Sequence, residues 1–164
     1  MDWNRDWLYW ANQTGHVQRT SLTQVKTEVV PTPLPVCLIK VDQMSGSLYW
    51  VSCDQYTIGT TAAGSHYPQQ LYRTTKEIRD FYLDWLRGGI LWLEEDQILT
   101  MSMTGGKAKG LLQLAGGVSG NIAFDLRANS LLWNSKRAGW LLISIIVILF
   151  FLILKLLTSC DSWA

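Results

Sequence analysis

Cysteine is scarce in this chain, and its scarcity removes two classes of protein at once. Cys37, Cys53 and Cys160 are the only three, too few for a disulfide-dense scaffold, and no Cys-x-x-Cys pair stands at zinc-ligand spacing. Histidine is scarcer still: His16 and His66 fall in predicted turns or loops without an acidic or cysteine partner at ligand spacing. Charge is thin as well, at 16% of residues against the usual level of about 25%. With 14 basic and 13 acidic residues the net charge is +1, which gives no electrostatic footprint for nucleic acid. The first residues, Met1-Asp2-Trp3-Asn4-Arg5-Asp6, are charged and lack the apolar run of about 7 to 15 residues that marks a secretory signal. This start reads as an internal piece of a longer protein. Catalytic signatures are missing too. Gly105-Gly106-Lys107 is followed by Ala108, so the phosphate-loop pattern is not completed, and neither a kinase Gly-rich loop nor His-Arg-Asp nor a nucleophile elbow occurs. Glu94-Glu95-Asp96 reads as a solvated acidic loop. No catalytic residue, metal ligand or cofactor site is expected.

What the chain has in excess is tryptophan, nine residues in all, and four of them keep time. Asp2 to Trp10, Asp42 to Trp50, Asp84 to Trp92 and Asp125 to Trp133 each run from an Asp through a turn to an apolar pair ending in Trp, eight residues later in every copy. The copies recur about every 41 residues, inside the window of about 40 to 50 that marks β-propeller repeats. Within one copy the pattern is a hairpin: Leu38-Ile39-Lys40-Val41 and Leu48-Tyr49-Trp50-Val51 are strand-like, and Asp42 to Ser47 is turn chemistry. Three of the four prolines sit in Pro31-Thr32-Pro33-Leu34-Pro35, a connection between strands or blades because proline cannot donate to a ladder. An unrelated β-domain could hold one such tryptophan in its core; four at one spacing favour the propeller. The pairing of Asp42 with Leu48 would set Cys37 opposite Cys53, within disulfide reach, and would set Arg79 opposite Glu95 in the next repeat. Bond formation then depends on the compartment.

Val41-Asp42 followed by Gly46-Ser47-Leu48-Tyr49-Trp50, and Leu83-Asp84-Trp85 followed by Gly88-Gly89-Ile90-Leu91-Trp92, resemble the YWTD repeats of low-density-lipoprotein-receptor-type six-bladed propellers. The looser spelling is similar to the propellers in ectodomains of sevenless/ROS-type receptor tyrosine kinases. No copy is a full Tyr-Trp-Thr-Asp; the fourth position is Asn12, Ser52, Glu94 and Ser135 in turn. The resemblance covers about residues 2 to 135 and implies an extracellular recognition module that presents loops to a protein ligand. It makes Asp42, Trp50, Asp84, Trp92, Asp125 and Trp133 the repeat core. At about 40 residues per blade, residues 1–137 amount to about three blades plus a hairpin, a partial ring.

After Trp133 the pattern changes. Residues 138–154 carry no charge, and the apolar stretch continues past Lys155 to Leu157. As a helix, 138–157 would be about 30 Å long, the hydrocarbon thickness of a bilayer, with Trp140 at one interface and Lys155 able to snorkel at the other. The expected domains are therefore a partial propeller over 1–137, a transmembrane helix over 138–157 and a short polar tail over 158–164. Asn12-Gln13-Thr14 is an N-glycosylation acceptor if this part enters the secretory lumen. Cys160, just beyond the span, is a palmitoylation candidate or a plain free thiol. Two readings of the whole remain. One is a non-catalytic recognition segment of a single-pass receptor, with a protein ligand or neighbouring blades as partners. The other is a tail-anchored membrane protein whose interaction domain stays cytosolic. An enzyme built on a propeller is weaker, because its polar candidates are scattered among turns.

Overall fold

The structure, a computed structural model, describes residues 1–33, 35–114, 118–125, 128, 130–135 and 139–144. Among these residues the chain is all-β and forms four antiparallel sheets, each a meander of strands consecutive in sequence. The first holds β1 (Trp7–Ala11), β2 (Val17–Ser21) and β3 (Thr27–Val30). The second is β4 (Val36–Val41), β5 (Leu48–Ser52), β6 (Thr57–Thr61) and β7 (Gln69–Arg73). The third is β8 (Ile78–Asp84), β9 (Gly89–Glu94), β10 (Gln97–Ser102) and β11 (Lys109–Gln113). The fourth is β12 (Val118–Asp125), β13 (Ser130–Ser135) and β14 (Gly139–Ser144).

In sheets two, three and four the repeat motif spans the first hairpin, in sheet one it runs from Asp2 into β1, and the adjacent Tyr-Trp or Leu-Trp positions explain the motif. Successive residues of a strand point to opposite faces, so one member of the pair faces the following sheet and the other the preceding one. Tyr9 packs with Val36, Leu48 and Trp50 between sheets one and two. Tyr49 packs with Phe81, Ile90 and Trp92 between sheets two and three. Leu91 packs with Ile122, Leu131 and Trp133 between sheets three and four. Trp50, Trp92 and Trp133 are all buried. The sheets are thus joined by three apolar layers of one design.

The hairpin register differs by one residue from the expected pairing of Asp42 with Leu48. Val41 is opposite Leu48, and Asp42 N–H donates to Ser47 O at 2.9 Å. The Asp42 carboxylate accepts the Met44 N–H at 3.0 Å and the Ser45 N–H at 3.2 Å, which closes the turn one residue earlier. A bulge between Val36 and Leu38 then shifts the ladder again and leaves Cys37 with its Cα 4.8 Å from that of Cys53. The third sheet has the same bulge between Ile78 and Asp80, so Arg79 stands where Cys37 does. Arg79 lies 3.8 Å from Glu77, and Glu95 pairs with Lys76 at 2.9 Å.

The apolar stretch departs most from expectation. Gly139–Ser144, expected as the start of a helix over 138–157, is strand β14, paired with β13 from Ser130↔Ser144 to Ser135↔Gly139. Leu, Ile and Trp at these positions suit a strand as well as a helix, and a short apolar run cannot be assigned by periodicity. The open edge of β13 supplies the hydrogen-bonding partners that decide it. Sheet four accordingly has three strands where a hairpin was expected. Among the described residues no helix is long and apolar enough to cross a membrane. Residues 138 and 145–164, which include most of the expected span, the polar tail and Cys160, lie outside the described residues.

Candidate interaction surface

The meander gives each sheet two unlike ends. At one end lie the segment before β1, the β4–β5 and β8–β9 turns, and the β2–β3, β6–β7 and β10–β11 connections; the other turns lie at the opposite end. The motif aspartates build the first end. Asp2, Asp42 and Asp84 are buried, and each carboxylate accepts hydrogen bonds from its own turn: the Asn4 N–H at 3.1 Å, those of Met44 and Ser45, and the Arg87 N–H at 3.2 Å. Asp125 takes the Ala128 N–H at 2.9 Å in the same way. Arg5 and Arg87 add ion pairs at 3.3 and 3.0 Å to Asp2 and Asp84. An Asp before a turn satisfies amides that would otherwise be orphaned, so its recurrence fixes the shape of the loop tips.

With the carboxylates turned inward, the tips present apolar side chains to solvent. Trp3 is 71% exposed, Met44 72%, Trp85 49% and Leu86 53%. Met1, Leu22, Val25 and Tyr67 are exposed at the same end. Only Tyr56 among the exposed large apolar side chains in the described residues belongs to the opposite end, the remaining two, Leu8 and Val29, lying on strands. Gln43 laces the first two turns together: its Nε2 donates to Met1 O at 2.7 Å, its Oε1 accepts the Trp3 N–H at 3.0 Å, and its carbonyl accepts Asn4 Nδ2 at 2.7 Å. A cavity of about 430 Å³ continues the surface toward the third turn, lined by Met1, Tyr9, Lys40, Gln43, Tyr82 and Trp85 among others. Lys40 Nζ stands 4.7 Å above the Tyr82 ring. The Tyr82 hydroxyl is turned away, between the Asp80 carboxylate at 3.0 Å and the Ile122 carbonyl. Burial, and then the charge of Asp80, hold its pKa well above the ordinary phenol value.

The opposite end is polar. It carries the Cys37–Cys53 disulfide and exposed Asn12, whose Oδ1 accepts the Thr14 N–H at 3.0 Å, the Thr14 hydroxyl at 2.8 Å and the His16 N–H at 2.9 Å. Here the sequence reading missed one residue. Glu94, taken as part of a solvated acidic run, is 6% exposed. Its carboxylate accepts hydrogen bonds from Tyr72 OH at 3.1 Å, Thr74 Oγ1 at 2.8 Å and Trp92 Nε1 at 3.2 Å, joining sheets two and three. The signal was present: Glu94 is the fourth motif position, two residues after Trp92 on the same strand. Gly105 and Gly106, at φ 92° and 120°, form a turn between β10 and β11. His66 lines a separate cavity between sheets one and two, and His16 Nδ1 lies 2.8 Å from Thr14 Oγ1. Among the described residues no three His, Cys, Asp or Glu side chains converge as for a metal.

Repeated antiparallel meanders of three or four strands, motif tryptophans between sheets and aspartate-stapled turns define a segment with the β-propeller fold. No protein-family model matches the chain. It is similar to a chain in the crystal structure of a nidogen/laminin complex, with a TM-score of 0.71 and 20% identity over 89% of this chain and 59% of that one; that likeness shows the fold. In sequence it is 24% identical over 140 residues to the proto-oncogene tyrosine-protein kinase ROS of Gallus gallus. The match covers 81% of this chain but 6% of that protein.

Proposed function

We propose that the chain is a non-catalytic, extracellular recognition segment of a single-pass receptor, a piece of a sevenless/ROS-type receptor tyrosine kinase ectodomain, and that it binds protein through the turn end carrying Trp3, Met44 and Trp85. The observation that carries this reading is the polarity of the two ends. Exposed Trp and Met set among Arg side chains on stapled turns are what protein interfaces concentrate at their cores, and a contiguous exposed apolar patch marks an interaction site. The similarity to a chain of a nidogen/laminin complex supports protein binding, and the ROS similarity supports the receptor class. The disulfide and the exposed Asn12 acceptor, both at the opposite end, suit an oxidising lumen. A glycan there would leave the apolar end open.

The test is to screen the chain against an array of recombinant ectodomains and to compare two variants on any binder. Trp3→Ser/Trp85→Ser should weaken binding by at least about 30-fold, the effect of losing one aromatic hot spot worth about 2 kcal/mol. Tyr56→Ser, at the polar end, should leave it unchanged. Binding that depends on Tyr56 and ignores the tryptophans would place the interface elsewhere and end this reading. In cells, a mass decrease on endoglycosidase treatment that disappears in Asn12→Gln would place the domain in the lumen; no glycan and free thiols would favour the cytosolic, tail-anchored alternative.

A further inference from the structure

The cavity beside Lys40 specifies more than a protein partner in general. We infer that it receives a carboxylate from an acidic, apolar-flanked loop of the partner protein, an Asp or Glu side chain that meets Lys40 Nζ while its neighbour packs against Trp85 and Met44. This rests on the reading of that end as the protein-binding one.

Charge selects the occupant. Lys40 is the one fully charged side chain lining this cavity, and no carboxylate lies within ion-pair distance of its Nζ among the described residues. It stands instead over the face of Tyr82. A second cavity, between sheets one and two, is different: its Arg19 and Glu28 lie 2.6 Å apart, and Lys26 Nζ reaches Glu28 at 2.6 Å. Its charges are satisfied internally, whereas Lys40 has a cation to offer. The walls around Lys40 are Tyr9, Ile39, Val41, Leu83 and Trp85. A partner that covers the apolar turns must take this ammonium out of water. Burying an unpaired charge is costly, and a charge-assisted hydrogen bond that the ammonium donates to a carboxylate restores what water gave. The loss of solvent also strengthens the pair, because the surroundings become less polar. A cavity of about 430 Å³ falls in the range of about 300 to 1,000 Å³ typical of ligand sites and has room for a carboxylate side chain with part of an adjacent apolar one. Asp2 and Asp84 at the rim are buried and paired with Arg5 and Arg87, so these two carboxylates do not compete for Lys40.

The probe is a phage-displayed library of random cyclic peptides, selected on the full 164-residue chain and re-measured as synthetic peptides. Selected peptides should carry Asp or Glu beside a large apolar residue. Their affinity should fall at least about tenfold on Lys40→Met and on Asp→Asn or Glu→Gln in the peptide, and Lys40→Arg should recover part of the loss. Thermal unfolding of Lys40→Met checks that the sheets stand, and Trp85→Ser reports the same site without touching the charge. Peptides that need Trp85 but bind Lys40→Met as well as the parent would overturn the carboxylate and leave the binding face in place. Selected peptides insensitive to both substitutions would remove the face as well. Association with phosphatidylserine vesicles that drops in Lys40→Met, with no acidic peptides selected, would assign the site to a lipid surface and overturn the proposal.

Discussion

The most direct probe of the repeat design is a single methyl group at Gly59. Trp50 on β5 lies opposite Gly59 on β6 and has no solvent exposure, packed between sheets one and two. A Cβ built on Gly59 would stand 2.1 Å from Trp50 Cζ2 and 2.3 Å from Cη2, far inside van der Waals contact, and these are atoms of a rigid ring. The indole has little freedom to tilt, because it packs in one buried cluster with Tyr9, Val17 and Val30 and its Nε1 donates to Thr61 Oγ1 at 3.4 Å. Gly59→Ala therefore forces an off-rotamer tryptophan or a strand shift. Overpacking of this kind costs about 1 to 3 kcal/mol, or about 4 to 8 °C for a 2 kcal/mol effect in a chain of this size. The assay is a double-mutant cycle by calorimetry or urea titration. Trp50→Leu alone should destabilise by leaving a cavity, and in that background Gly59→Ala should become nearly neutral, a coupling of at least about 1 kcal/mol. An additive cycle, or a Gly59→Ala chain that melts with its parent, would refute the packing argument, since no other role of Gly59 predicts relief by a smaller residue at 50.

Glu94→Ala should cost about 1 to 3 kcal/mol by leaving the Tyr72, Thr74 and Trp92 donors without an acceptor, and Glu94→Gln, which keeps one acceptor oxygen, should cost less; equal losses in urea titrations would contradict the bracket. Burial raises the pKa of Tyr49, Tyr72 and Tyr82, with Asp42, Glu94 and Asp80 respectively adding to the rise. The unfolded chain releases these protons from about pH 10 and the native chain only above that, so their contribution is complete below about pH 10 and is lost as pH rises further. Tyr82→Phe should flatten the alkaline limb of a stability profile, and an unchanged slope would count against it. Cys37→Ser/Cys53→Ser made in an oxidising host should lose about 3 kcal/mol for a loop of this length, with peptide mapping of the parent showing the linked pair; two free thiols in the secreted parent would remove the basis of that figure.

The sheets were legible in the sequence because a blade interface needs a large side chain on each face of its second strand, and adjacent Tyr-Trp or Leu-Trp pairs at a fixed distance from an Asp have few other uses. The turns were legible for the same reason, since Asp42 and Asp84 act on their own turns. Register was not, because the bulges at Cys37 and Arg79 and the early closure by Asp42 are decided by amide geometry rather than residue type. Glu94 was misread since charge is scored as exposure unless the donors are known, and Tyr72 and Thr74 come from the preceding sheet. The apolar turn end was invisible for a related reason: Trp3, Met44 and Trp85 count as core in any composition until the buried aspartates beside them turn those side chains outward.

Strand β14 and a transmembrane helix compete for the same six residues, and that competition makes a prediction. If Gly139–Ser144 stays paired with β13, residues 145–157 remain for a span. At 1.5 Å per residue they reach about 20 Å as a helix, short of the hydrocarbon thickness of about 30 Å. Full insertion must therefore strip β14 from the fourth sheet and expose the edge of β13. Synthesised with microsomes, the chain should be resistant to carbonate extraction, and proteolysis of that fraction should cut within 118–135. The variant Ile148→Lys/Phe151→Lys, at about 2.5 to 3.5 kcal/mol of insertion cost per lysine near the centre of a span, should be extracted and should show those residues protected. A carbonate-resistant fraction in which 118–135 is as protected as in the extracted variant would show that the two states coexist, and would sink the argument that this stretch serves either the sheet or the membrane but not both.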